Sequence, residues 1–459
     1  MRLSPTEEQR AFEDGFRRAL GERPPEGAEA QWRVLADLGL TGLGVPEALG
    51  GSGGGADEIA IAARLLGEAG WRAPFAQIVA HGITAIAALK GCDHEGVLRA
   101  MAAGALRVVP VAGHGDSELR VRRTDDGISL SGLAPLVSGG ALADAWLIDA
   151  RDDAGERIAL WVPRGTKGVS ARAVDVVDGS SNADLRFDDA WLPASACIGS
   201  GAAAEKALDA AWALHDVARL WMAAAAVGEL VRLTLDHVRT RRQFGQALAG
   251  FQALQHRAAR MSVLAGEARA AALYAQAEHA ASAQRRDRAL SSAFVRIADI
   301  AEHVSREAVQ LHGAIGFTQE CAVSGHFAAL FAFRHGGRDL DWHRQRLAGI
   351  LRRPGEVGRS LAGGEGAADE TAAGLSLALK PEHEAFRDEV RAFAGEALDA
   401  DLRRGARLTV GVFPEPDVAG AWHRLLYAKG WIAPYLPQEA GGTGWSALQA
   451  YLFEHACAA

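Results

Sequence analysis

The stretch "GLTGLGVPEALGGSG" at residues 39–53 returns near the end of the chain as "GWIAPYLPQEAGGTG" at 430–444. In both, a glycine is followed seven residues on by a proline, then by a Gly-Gly pair and one more glycine at matching offsets. Glycines held at fixed offsets around a proline mark a turn whose backbone other residues cannot follow. The flanks agree as well. "TEEQRAFEDGFRRALGE" near the start resembles "PEHEAFRDEVRAFAGEAL" after the linker, and Trp32 has its counterpart in Trp422. Self-similarity of this kind means one helical unit used twice, the second time incompletely.

A chain of 459 residues exceeds one ordinary core, so several packed units are expected. No apolar run approaches the roughly 20 residues of a bilayer span, and "MRLSPTEEQRAFEDGFRRAL" has early acids and no apolar signal-peptide core. Cys92, Cys197, Cys321 and Cys457 lie far apart without a CxxC pair, which points to a reducing, cytoplasmic setting and no structural metal. A net charge of −8 argues against nucleic acid as a partner.

The texture changes along the chain. Residues 1–108 read as helices broken at "GERPPEG" and "VPEALGGSGGG". Residues 109–198 read as a β region. "LRVRRTDDGISLSG" and "AWLIDARDDAGERIALWVP" carry hairpin turns, and "ADLRFDDAWLP" is a strand ending at Pro193. Residues 199–358 return to helix, where Leu290, Phe294, Ile297, Ala301, Val304, Ala308 and Leu311 form one apolar stripe at three-to-four spacing. Residues 359–378, small and acidic, read as a linker, and 379–459 as the partial second helical unit. "GGSGG" and "GSGGGA" fit a nucleophile elbow and a dinucleotide fingerprint only as strings. A Pro-containing turn stands where those motifs need a strand, and the second copy reads "GGTGW".

"RTRRQFGQALAGFQALQHRAARM" at 239–261 carries more. It sets Arg241, Phe244 and Gly245 at a helix end and restarts a helix at Phe251-Gln252. An arginine there suits a phosphate, and a glutamine can offer donor and acceptor to a planar ring. The string resembles the R-x-x-F-G…F-Q signature of the acyl-CoA dehydrogenase family. "QLHGAIGF" at 310–317 resembles the family's Q-x-x-G-G-x-G-[FY], with Ala314 at one glycine.

The resemblance spans roughly residues 5–355. It implies a mainly α fold with a central small β domain: an N-terminal helical domain, a β-barrel-like middle domain and a C-terminal helix bundle. It also implies FAD as cofactor, contacted by Arg241, Phe244, Gln252, Gln310 and Gly313, with the arginine reaching the flavin of a neighbouring subunit. In "GLAPLVSGGALAD" Ser138 falls at the Ser/Thr position beside the flavin's reactive edge.

The implied reaction is α,β-desaturation of an acyl-CoA thioester, with electrons passed to an electron-transfer flavoprotein, by a homo-oligomer or by a chain paired with a second dehydrogenase half. A carboxylate base must take the α-proton. In most relatives a glutamate does so in a Y-E-G-T-like segment, but "FRHGGRDLDWHRQR" places Gly336-Gly337 there. The carboxylates left as candidates are Asp339 and Asp341, and Asp216 in the earlier helix "LHDVARLWM". The missing glutamate leaves two other expectations: a catalytically silent flavin-binding half that assembles with an active one, or a flavin oxidase or monooxygenase on the same fold. The second copy is expected to be the start of a further half continuing beyond Ala459.

Overall fold

The opening Thr6 already fixes where the first helix starts. Its Oγ1 accepts from the Gln9 N–H, and Gln9 Oε1 accepts from the Thr6 N–H, both at 3.1 Å, closing a capping box on α1 (Glu7–Leu20). The computed structural model describes residues 6–21, 24–89, 91, 93–113, 118–124, 126–336, 338–351, 379–407 and 415–458. The linker expected at 359–378 lies outside the described residues, as do Cys92 and Gly337. The described residues form two compact units, one within 5–375 and one within 376–459.

In the larger unit α1 is followed by α2 (Ala28–Asp37), α3 (Ala56–Glu68), a π-helical stretch (Ala76–Ile83) running into α4 (Thr84–Leu89), and α5 (His94–Ala102). Eight strands come next: β1 (Val108–Ala112), β2 (Glu118–Thr124), β3 (Gly127–Val137), β4 (Ala145–Arg151), β5 (Arg157–Pro163), β6 (Val169–Val174), β7 (Asn182–Leu192) and β8 (Cys197–Ser200). They make two four-stranded sheets, ordered β1-β4-β5-β8 and β2-β3-β7-β6. β1 runs parallel to β4, pairing Val108 with Ala145, and the other ladders are antiparallel. The first six residues of β4 are all buried, the pattern of a strand covered on both faces.

The bundle consists of α6 (Gly201–Thr240), α7 (Gln252–Glu278), α8 (Ala283–His312), α9 (Ala322–His335) and α10 (Leu340–Leu351). Every member of the Leu290-to-Leu311 stripe on α8 is buried, as its spacing requires of a central bundle helix.

The smaller unit has α11 (Pro381–Ala397), α12 (Ala400–Arg407), α13 (Pro416–Lys429) and α14 (Ala447–Ala458). Its core is Val390, Leu426, Trp431, Phe453 and Ala456, ringed by Phe386, Phe393, Trp422 and Trp445. The repeated turn keeps three left-handed glycines at matching offsets in both copies. Gly39, Gly50 and Gly53 have φ of 72°, 78° and 63°, and Gly430, Gly441 and Gly444 have 78°, 80° and 65°. The other glycine of each pair is needed for space. A Cβ on Gly51 would overlap the Val45 carbonyl, and one on Gly442 would overlap that of Leu436.

Candidate active site

A cavity of about 690 Å3 opens in the larger unit, walled by the end of β3, the loop before β7, one face of α6 and the α9–α10 junction. β3 reaches it through a register irregularity between Ala134 and Val137. Within it Leu136 has φ of 50°, a left-handed conformation that a bulky side chain rarely adopts, and its N–H is held by Asp184 Oδ1 at 2.9 Å. This bend delivers Ser138 to the cavity, where Gln77 Nε2 donates to its Oγ at 3.0 Å.

The facing wall comes from α6. Trp212, His215, Arg219, Met222, Ala223 and Ala226 share one helical face and all line the cavity. The helix is tied to the β region by Trp212 Nε1, which donates to Asp149 Oδ2 at 2.8 Å. Asp149 in turn is gripped by Arg157 through two bonds of 2.7 and 2.8 Å. Arg219 donates to the carbonyls of Phe333 (2.9 Å), Gly336 (3.0 Å) and Arg338 (3.2 Å), so it clamps the α9–α10 junction.

Behind this wall sits a buried charge set. Asp216, 1% exposed, has Oδ2 at 3.4 Å from Arg338 Nη1 and Oδ1 at 3.1 Å from His215 Nδ1. Arg338 lies between two rings, 5.0 Å from the Trp212 centroid and 3.9 Å from that of Trp342. Burial by itself pushes the Asp216 carboxyl up, but the Arg338 charge and the His215 hydrogen bond outweigh it and hold the group far below the usual carboxylate range. Burial lowers Arg338 to about 10, which leaves it charged at neutral pH. Burial also lowers His81, His215 and His343, so these imidazoles are neutral beside the ion pair.

The residues singled out from the sequence fall into two groups. Ser138, Asp339 and Asp341 line the cavity, and Asp216 lies just behind it. Asp339 caps α10, its Oδ1 accepting from the Trp342 N–H at 2.9 Å. Asp341 is 3.5 Å from Arg344, with its side chain 77% exposed. Arg241, Phe244, Gln252, Gln310 and Gly313 are outside the cavity and exposed, at the end of the bundle where α6 and α8 finish. There His237 and His312 stack at 4.3 Å, and Phe244, 89% exposed, packs edge-on to Phe251 at 6.2 Å. The Arg241 guanidinium has no ion-pair partner among the described residues.

Sequence reasoning did not select His215, Arg219 or Arg338. The signal for the first two was present, as polar residues at positions 215 and 219 continue the helical face begun by Leu208 and Trp212. Arg338 carried no such signal, because it lies between helices and its partner Asp216 is on the distant α6.

Comparison with known proteins follows the same division. The N-terminal domain of acyl-CoA dehydrogenases matches residues 6–93 and again 380–459, and the family's C-terminal domain matches 208–337. The acyl-CoA dehydrogenase FadE27 of Mycobacterium tuberculosis is 26% identical over 344 residues, covering 72% of this chain and 87% of its own. The caffeyl-CoA reductase-Etf complex subunit CarC of Acetobacterium woodii is 25% identical over 321 residues, covering 63% and 80%. The ChsE4–ChsE5 complex of Mycobacterium tuberculosis has a chain of the same fold, with a TM-score of 0.66 at 22% identity, covering 80% of this chain and all of that one. No described helix is long and apolar enough to cross a membrane. With both domain types matched in order and the central sheets between them, the chain belongs to the acyl-CoA dehydrogenase family, whose cofactor is FAD.

Proposed function

We propose that this chain is an FAD-dependent acyl-CoA dehydrogenase that desaturates an acyl-CoA thioester between its α and β carbons and hands the electrons to an electron-transfer flavoprotein. The observation that carries the reading is the cavity itself. A hydroxyl-bearing β wall (Ser138, and Ser181, whose buried Oγ has no hydrogen-bond partner among the described residues) faces a helical wall of Trp212, His215 and Arg219. Those hydroxyls fit the polar edge of a planar heteroaromatic ring, and the volume of about 690 Å3 is in the range of cofactor and ligand sites.

When bound, FAD supplies the two-electron oxidant that receives hydride from the β carbon. This chain's residues bind, orient and handle the proton. Ser138 would offer a hydrogen bond at the ring edge, and Arg219 holds the α9–α10 junction. The exposed Arg241, Phe244, Gln252, Gln310 and Gly313 offer a cation, an aromatic face and amides to the nucleotide portion of a cofactor. They lie outside the cavity that holds Ser138, so the two groups serve different flavins in an oligomer, or the chain pairs with a second dehydrogenase half. The proposed partition is 1–108, 109–198, 199–358, 359–378 and 379–459, and the proposed compartment is the cytoplasm.

A second reading, the silent flavin-binding half, is favoured by one observation: Asp339 caps a helix, Asp341 faces Arg344, and Asp216 is locked to Arg338. Anaerobic titration of the FAD-loaded chain with short, long and steroid-type acyl-CoA esters separates the two. Flavin bleaching supports the dehydrogenase, whereas bound thioester without bleaching supports the silent half. A chain that takes up neither FAD nor acyl-CoA refutes both.

A further inference from the structure

We infer that the base facing this cavity is a histidine, His215, acting through Nε2 and oriented by Asp216. The inference rests on the acyl-CoA reading above and names the group that takes the α-proton.

The geometry is that of a base held by a third group. His215 Nδ1 lies 3.1 Å from Asp216 Oδ1, and Asp216 stays ionised beside Arg338. A carboxylate at that distance places the ring's proton on Nδ1, which leaves the lone pair on Nε2. His215 lines the cavity, and Nε2 makes no hydrogen bond among the described residues. It is also absent from the sealed, partnerless nitrogens, which include both ring nitrogens of His81 and Nε2 of His343. Nε2 is therefore the accessible end of the ring. Trp212 packs edge-on at 5.0 Å and fixes the plane of the imidazole.

The carboxylates on the cavity wall are engaged, and Arg72, Arg219 and Arg338 are cations. Asp178 Oδ1 accepts from the Ser180 N–H and hydroxyl, Asp339 caps α10, and Asp341 faces Arg344. His335 lines the cavity with no orienting carboxylate among the described residues and rests on Phe331 at 4.5 Å.

The step balances without an oxidant. The thioester's Cα–H bond breaks, the proton bonds to His215 Nε2, and the electron pair moves onto the thioester carbonyl oxygen as an enolate. Asp216 offsets the charge of the new imidazolium. Groups facing the ring are Asp216 and Arg219 on its own helix, His81 on the π-helical stretch and Arg338 at the α9–α10 junction, while Asp149 on β4 acts on His81 and His343 on α10 acts on Asp216. Burial with the Arg219 and Arg338 charges depresses the imidazole below its usual 6.5 in spite of Asp216, so it is the free base at neutral pH.

The test isolates the proton step. The full chain, FAD-loaded, is incubated in D2O with 3,3-dimethylbutanoyl-CoA, which has α-hydrogens and no β-hydrogen to lose. Mass spectrometry follows deuterium entering the α position. The expected result is exchange that rises with pH through a midpoint below the usual imidazole value and then levels off. His215→Gln should lower it by roughly 10²-fold or more, with thioester binding and flavin content unchanged. His215→Glu, itself a base, should restore exchange with a shifted pH midpoint. That variant also decides the matter if His215→Gln fails to fold. Undiminished exchange in His215→Gln, an unmoved midpoint in His215→Glu, or loss of exchange only in His335→Gln each overturns the assignment. Bound thioester with no exchange in the unmodified chain overturns it too and leaves the silent half standing. Failure to bind the thioester at all overturns the acyl-CoA reading.

Discussion

Replacing Asp216 by asparagine leaves Arg338 charged, 9% exposed and without its counter-ion. At the observed 3.4 Å, and with an effective dielectric constant of about 20, the lost attraction is about 5 kcal/mol. Breaking one side of a buried pair typically costs about 3–5 kcal/mol, because the survivor's desolvation is no longer offset. The unit within 5–375 unfolds with an entropy of roughly 0.8 kcal/mol/K, taking about 2.1 cal/mol/K for each of its residues. The melting temperature of Asp216→Asn should therefore fall by roughly 4–6 °C.

Arg338→Met alone should also destabilise the fold, since it strands the carboxylate beside a neutral histidine. The double variant Asp216→Asn/Arg338→Met removes both charges and their desolvation, so it should melt within about 2 °C of the unmodified chain. Scanning calorimetry of the four proteins completes the cycle. Additive losses in the double variant, or a single variant that melts unchanged, would refute the picture of a mutually dependent buried pair.

Four further outcomes are expected. Arg241→Ala with Gln252→Ala should weaken FAD binding by roughly 10- to 100-fold, read by flavin retention on dialysis, while the helical circular dichroism holds; unchanged flavin content removes both residues from the site. Gly51→Ala should destabilise the larger unit, and Gly442→Ala the smaller one, each by about 2 kcal/mol or more, since the new methyl meets a carbonyl. Hydrogen exchange localises each loss, and a Gly442→Ala protein with unaltered protection in both units would contradict the close approach. Burial, aided by Arg72 and Arg232, lowers His326 to about 4, so the unfolded chain binds that proton first; its contribution is full above about pH 6.5 and fades toward pH 4, with roughly 2 kcal/mol gone by pH 5, and urea midpoints at pH 7 and 5 should converge in His326→Leu. Arg219→Met should release the carbonyls of Phe333, Gly336 and Arg338 and speed amide exchange around the α9–α10 junction.

The local order of this protein is written in its residues because its causes are local. Helix periodicity put Leu290, Phe294 and Ile297 on one buried stripe, and a left-handed turn demanded glycine at the same offsets in both copies. The R-x-x-F-G and Q-x-x-G strings pointed to the family, since short motifs survive where backbone geometry is unforgiving. The chemistry of the cavity depended on packing. Arg219 and Arg338 stand 119 positions apart, yet one holds the other's carbonyl. Asp216 looked in the sequence like a free carboxylate on a helix, and became a locked anion only when the α9–α10 junction brought Arg338 against it. His215 was one histidine among 15, set apart when Asp216 fixed its tautomer and the cavity left Nε2 open. Charge pairing, desolvation and access are properties of what surrounds a side chain, and for these residues the surroundings come from distant parts of the chain.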